Sequence, residues 1–166
     1  MREYILLFLT TVCLNVYSQN VSIVKIDSIE FKLPGESWKL VNKNPDAGQF
    51  LFQDKKNKIS ISLSARDKTK FEFYNVNLTD VELVNAFYKW DADYWKSNKD
   101  YDVYEIKKDE AKKYIIWKIE VKSKKIENYF LSGIKSNYLI GLNIPQIKQK
   151  LEQEKQIQLL ENVFLN

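Results

Sequence analysis

Most of this chain alternates apolar and polar positions, and two stretches break the alternation with helical spacing. Ile59, Ile61 and Leu63 are separated by Ser60, Ser62 and Ser64, a two-residue period that predicts a strand with one core face and one wet face. Ile115, Trp117, Ile119 and Val121 alternate with Lys118, Glu120 and Lys122 and predict a long strand at the spine of a sheet. Residues 21–33 read as one half-buried strand stopped by Pro34 and Gly35. A short strand at Trp38 and Leu40, a loop over 42–48, a strand carrying Phe50 and Phe52, and a polar turn over 54–58 follow. Residues 66–78 hold Phe71, Phe73 and Tyr74 without a period, which predicts a connection covering a sheet edge. Strands over 101–107 and 127–134, and one through Tyr138, Ile140, Leu142 and Ile144, complete an antiparallel meander.

The first helical stretch is 79–97. Thr79 followed by Glu82 is a capping box, in which hydroxyl and carboxylate each satisfy an orphan backbone N–H. At 100° per residue Leu83, Phe87, Trp90 and Tyr94 fall within about 60° of one another and predict the core stripe. A second apolar row, Val81, Val84, Tyr88 and Trp95, runs beside it. Either the sheet and the 66–78 connection cover this row too, or it is an exposed surface for a partner. The second helix closes the chain, with Ile157, Leu160 and Phe164 at helical spacing and Leu159 and Val163 beside them; its earlier part, 146–156, is polar. Strands, helix, strands and helix predict an α+β domain: a mainly antiparallel sheet with a long central helix and a C-terminal helix packed on it.

The amino terminus changes the picture. Arg2, the apolar run 4–14 and the polar end 15–18 predict a secretory signal peptide over residues 1–18 and one domain over 19–166. The Ser18-Gln19 junction resembles cleavage sites of Bacteroidetes-type bacteria. An anchor through Cys13 is disfavoured, because Val12 stands where that signal needs a small residue. The apolar run is too short to span a bilayer, and no other stretch predicts a transmembrane segment. The expected location is therefore the periplasm or the outside of the cell. Cys13 is the only cysteine and would leave with the signal, so stability must come from packing. The net charge is +4, almost all of it lysine, with Arg66 the one arginine beyond the leader. Lysine is the solvated surface cation, so nucleic acid is not the expected partner.

Candidate chemistry is sparse. The chain has no histidine, which removes the commonest neutral-pH acid/base and metal ligand. Without a mature cysteine, thiol catalysis and thiolate zinc sites go too. Asp91 and Asp93 point about 200° apart on a helix and read as solvated surface, not as a paired site. Ser60, Ser62 and Ser64 lack the glycine-rich elbow of a serine hydrolase, and four glycines in all leave no phosphate loop. No cofactor, metal site or catalytic residue is expected.

The order of elements, with the run from Phe31 through Leu33 and Pro34 to Trp38 and the later segment 129–143 (YFLSGIKSNYLIGLN), resembles the PsbP-like superfamily, which includes DcrB-like bacterial envelope proteins. The resemblance covers the whole mature chain. It implies a sandwich built on a central antiparallel sheet with helices on its faces, and members that mostly bind other proteins. No ligand motif carries over residue by residue. The expectation is a non-catalytic, exported protein-binding module, an accessory or an immunity-like protein, whose candidate surface is Val81, Val84, Tyr88 and Trp95. The alternative is a carrier in which Phe71, Phe73, Tyr88 and Trp95 line a pocket for an apolar or glycan ligand. A histidine-free hydrolase is the third reading.

Overall fold

The computed structural model describes residues 20–145 and 151–166. The expected signal peptide over 1–18, with Cys13, and Gln19 and the 146–150 part of the polar segment lie outside the described residues. The chain is α+β. Its strands are β1 (Val21–Ile26), β2 (Ile29–Pro34), β3 (Trp38–Asn44), β4 (Gln49–Asp54), β5 (Ile59–Asp67), β6 (Tyr101–Asp109), β7 (Tyr114–Val121), β8 (Ile126–Lys135) and β9 (Tyr138–Ile144). Its helices are α1 (Asp80–Lys96), between β5 and β6, and α2 (Gln153–Leu165) at the end. Among the described residues, no helix is long and apolar enough to cross a membrane, which says nothing of membrane-spanning strands.

Seven strands form one antiparallel sheet in the order β3-β4-β5-β9-β8-β7-β6. The meander β6 to β9 is as the alternation predicts. Its central strand is β9, not β7, because β9 closes the meander onto β5. β7 lies next to the edge and is nonetheless buried on both faces from Tyr114 to Trp117, which is why it reads as a spine.

The expected single strand over 21–33 is a hairpin. Asp27 and Ser28 turn the chain, with Asp27 in the left-handed region at φ 51°, a conformation that short polar side chains tolerate. The core-facing residues shift from even positions, Val24 and Ile26, to odd ones, Ile29, Phe31 and Leu33, across that turn. This hairpin and α2 cover one face of the sheet. Phe31, Leu33, Leu160, Val163 and Phe164 meet Ile61, Leu63, Ile116, Leu131, Ile140 and Leu142 there, all buried. Gly133 permits the closest approach: a Cβ on it would stand 2.5 Å from the Phe164 ring.

The other face belongs to α1. Thr79 caps the helix, accepting from Glu82 N while the Glu82 carboxylate accepts from Thr79 N at 2.8 Å. α1 lies over β6, β7 and β8, where Leu83, Val84 and Phe87 pack on Ile115, Trp117, Ile119 and Leu139. The connection after β5 makes one 3-10 turn, Lys68–Lys70, and then lays Phe71, Phe73, Tyr74 and Leu78 against this cluster. It covers the helix side of the face, where the sequence predicts cover for an edge. The described edge strand β3 is exposed, and Lys39, Lys43 and a register shift between Leu40 and Asn42 mark it as a protected edge.

Candidate functional site

The polar stripe of β5 decides where α1 stops. Two cross-strand rows run over the α1 face: Gln49, Ser64, Gly141, Ser132 and Ile115, and beside them Leu51, Ser62, Asn143, Phe130 and Trp117. Both are apolar at β7 and polar toward β5. A helix gains from burial only over the apolar end, since covering unpaired hydroxyls and amides costs free energy. α1 therefore sits to one side, and a cavity of about 650 Å³ opens between its second half and the serine-lined half of the sheet. That volume is in the range of small-molecule sites.

Phe87, Trp90, Asp91, Tyr94 and Trp95 form the helix wall, at the i, i+3, i+4, i+7 and i+8 spacing of one helical face. Ser62, Ser64, Ser132, Asn143 and Gln49 form much of the floor, and Phe71 and Arg66 stand at one side. The aromatic groups hold one another. Phe71 meets Phe87 and Trp90 edge-on at 5.3 Å and 5.8 Å, and Trp95 lies 6.0 Å from Phe130, which stacks on Trp117 at 4.2 Å. Trp117 Nε1 donates to Ser132 Oγ at 3.0 Å, so the buried indole N–H is satisfied by a hydroxyl of the floor. Ser64 Oγ donates to Gly141 O at 3.2 Å, an approach that a Cβ on Gly141, 2.6 Å from that oxygen, would disturb. Ser62 Oγ makes no hydrogen bond with another described residue.

The side chains of α1 are not divided as their hydrophobicity predicts. Val84, expected in the candidate partner row, is buried at 3% exposure, and Tyr88 packs on Trp117 at 5.7 Å. Val81 and Trp95 are half-buried. The row is thus turned to the sheet and presents no continuous outer surface. In the expected core stripe Leu83 and Phe87 are buried, but Trp90 is 43% exposed and Tyr94 69%. Those two rings stand at the cavity mouth, with Trp90 Nε1 donating to Glu72 Oε1 at 2.9 Å. Of the aromatics expected to line a pocket, Phe71 and Trp95 do so; Phe73 and Tyr88 pack outside it.

Asp91 is the residue the sequence reading misplaced most. It lies inside the cavity wall, not on solvated surface, and burial pushes its carboxyl up to about 6. The one hydrogen bond it receives among the described residues comes from Trp95 Nε1 at 3.1 Å. Asp93 does point outward, to Lys89. A signal for Asp91 was in the sequence: it follows Tyr88 by three residues and precedes Trp95 by four, which sets it in the middle of the sheet-facing row.

Among the described residues, no group of three or more His, Cys, Asp or Glu side chains is placed to hold a metal ion. No protein-family model matches the chain, and no curated protein matches it.

Proposed function

We propose that this chain is an exported, non-catalytic binding domain that takes a small organic ligand in the cleft beneath α1. The observation that carries the reading is the mixed lining of the cleft: aromatic rings along the helix wall, neutral hydroxyls and amides along the floor, Arg66 at one side and one half-buried carboxyl, Asp91. Apolar walls supply the attraction and a few fixed polar groups the orientation, which is how small-molecule sites are commonly built. Of the two binding readings of the sequence, the carrier thus gains the stronger support. Export rests on the pattern of residues 1–18, and a place among PsbP-like proteins on the element order, with α1 and α2 on opposite faces of one antiparallel sheet.

The test is cavity filling. Ser62→Phe places a ring in the cleft without touching the α2 core. Titration of the wild-type protein with a panel of small aromatic and aliphatic compounds, read by tryptophan fluorescence, is expected to find binders that Ser62→Phe loses. Binders retained by a folded Ser62→Phe protein would place the site elsewhere.

A protein-contact reading keeps one specific observation. Trp90 and Tyr94 are large, exposed and adjacent to the cleft. A partner seated on them would cover the mouth, and capture from envelope extract that depends on these two rings would support it.

A further inference from the structure

The other shifted carboxylates of the described chain show what Asp91 lacks. Asp80 is held low by Lys113 and Lys68, Asp93 by Lys89, and Glu161 by Lys107 and the Tyr114 hydroxyl. Asp100 accepts from the backbone and the hydroxyl of Ser123, and Asp54 from Ser37, Lys56 and Asn57. Each of these has a cation or several donors. Asp91 is half-buried in the wall of the cleft and has one neutral donor, the Trp95 indole. No lysine or arginine of the described residues forms an ion pair with it. Arg66, the cation that lines the same cleft, is placed over the Phe71 ring at 5.2 Å.

Holding a carboxylate away from water without a counterion is unfavourable, and a ligand that supplies the counter-charge relieves it. The rings around this one are themselves suited to a cation. Trp90, Tyr94 and Trp95 line the same cleft from the same helical face as Asp91, and aromatic faces attract ammonium groups electrostatically, Trp most strongly. Resting on the reading of the cleft as a ligand site, we propose that its ligand is an organic ammonium ion, the cationic head against Asp91 and the apolar body against Phe87, Trp95 and Phe130. The hydroxyls and amides of the floor are neutral and Arg66 is engaged with the Phe71 ring at one side, so the selection for a cation rests on Asp91.

Three probes of one skeleton separate charge from shape: 2-phenylethylammonium, 2-phenylethanol and phenylacetate. Each is titrated at pH 8, where Asp91 is ionised, into the wild-type protein and Asp91→Asn, which keeps an oxygen to accept from Trp95. The ammonium is expected to bind about tenfold more tightly than the alcohol, with phenylacetate weakest. Asp91→Asn is expected to abolish the preference while retaining the alcohol. An alcohol or anion that binds the wild type as well as the ammonium, or a preference that survives in Asp91→Asn, overturns the ammonium assignment and leaves the cleft as a binding site. Absence of binding by all three overturns both.

Discussion

Trp95 Nε1 donates to Asp91 Oδ1 at 3.1 Å, one helical turn away on the face of α1 that meets the sheet. The bond orients the indole and the carboxyl together, so the one acid among the described residues lining the cleft is fixed by the ring that packs on Tyr101 and Phe130. Replacing Trp95 by Phe keeps a ring but leaves the carboxyl with no donor. Asp91 is then expected to titrate above its present value of about 6, measured by NMR of the carboxyl carbon, and an unchanged or lower value would show that the bond does not hold it.

The same carboxyl sets a pH dependence of stability. Arg66 and Tyr94 are the other titratable groups lining the cleft, and burial is the leading cause of the shift in Asp91 from 3.8 to about 6. Between those values the folded state holds a proton that the unfolded state has lost, so this group's contribution falls as pH rises through that window and is level above it. Asp91→Asn removes the penalty. It is expected to match the wild type below about pH 4 and to be more stable at pH 7.5 by about 1 to 3 kcal/mol, in urea unfolding at both pH values. A destabilised Asp91→Asn at pH 7.5 would mean the charge is stabilised by groups outside this account.

The division of α1 predicts opposite outcomes for neighbouring aromatics. Tyr88→Ala removes a ring packed on Trp117 and is expected to cost about 2 to 4 kcal/mol, while Tyr94→Ala, at an exposed position, is expected to cost less than about 1 kcal/mol. The reverse order in denaturant unfolding would restore the stripe that hydrophobicity alone predicts.

How the sequence foretold these features, and where it did not, follows from what a single-chain pattern encodes. The capping box at Thr79 and Glu82 and the serine alternation of β5 are local, and both stand in the structure. The face of α1 that meets the sheet is not local. It is set by where Trp117 and Ile119 offer apolar surface, which rotates the helix toward Val84 and Tyr88 and leaves Trp90 and Tyr94 at the mouth. The β5 serines look solvated in the sequence because their polarity is visible and the helix beside them is not. The real neighbour of Ser62 and Ser64 is a cavity, which requires β4, β5 and β9 to be assembled before it exists. The β1–β2 hairpin stands where one strand is expected, although the change of apolar parity at Asp27 and Ser28 is a local signal for it.

On the opposite face, α2 depends on one missing side chain. Gly133→Ala would set a Cβ 2.5 Å from the Phe164 ring and 3.2 Å from Tyr114 Cβ. It is expected to destabilise the protein by about 1 to 3 kcal/mol through displacement of α2. Hydrogen exchange should show the loss in α2 before β9, and equal protection in both would place the strain elsewhere.

The central claim is that the cleft beneath α1 is a ligand site, and the four tryptophans report on it directly. Trp90 and Trp95 line the cleft, Trp117 stacks on Phe130, and Trp38 donates its indole N–H to Pro34 O away from the cleft. In a titration with 2-phenylethylammonium at pH 8, the indole N–H resonances of Trp90 and Trp95 are expected to move, Trp117 less, and Trp38 not at all. A shift confined to Trp38, or none in any of the four at saturating probe, would contradict the account.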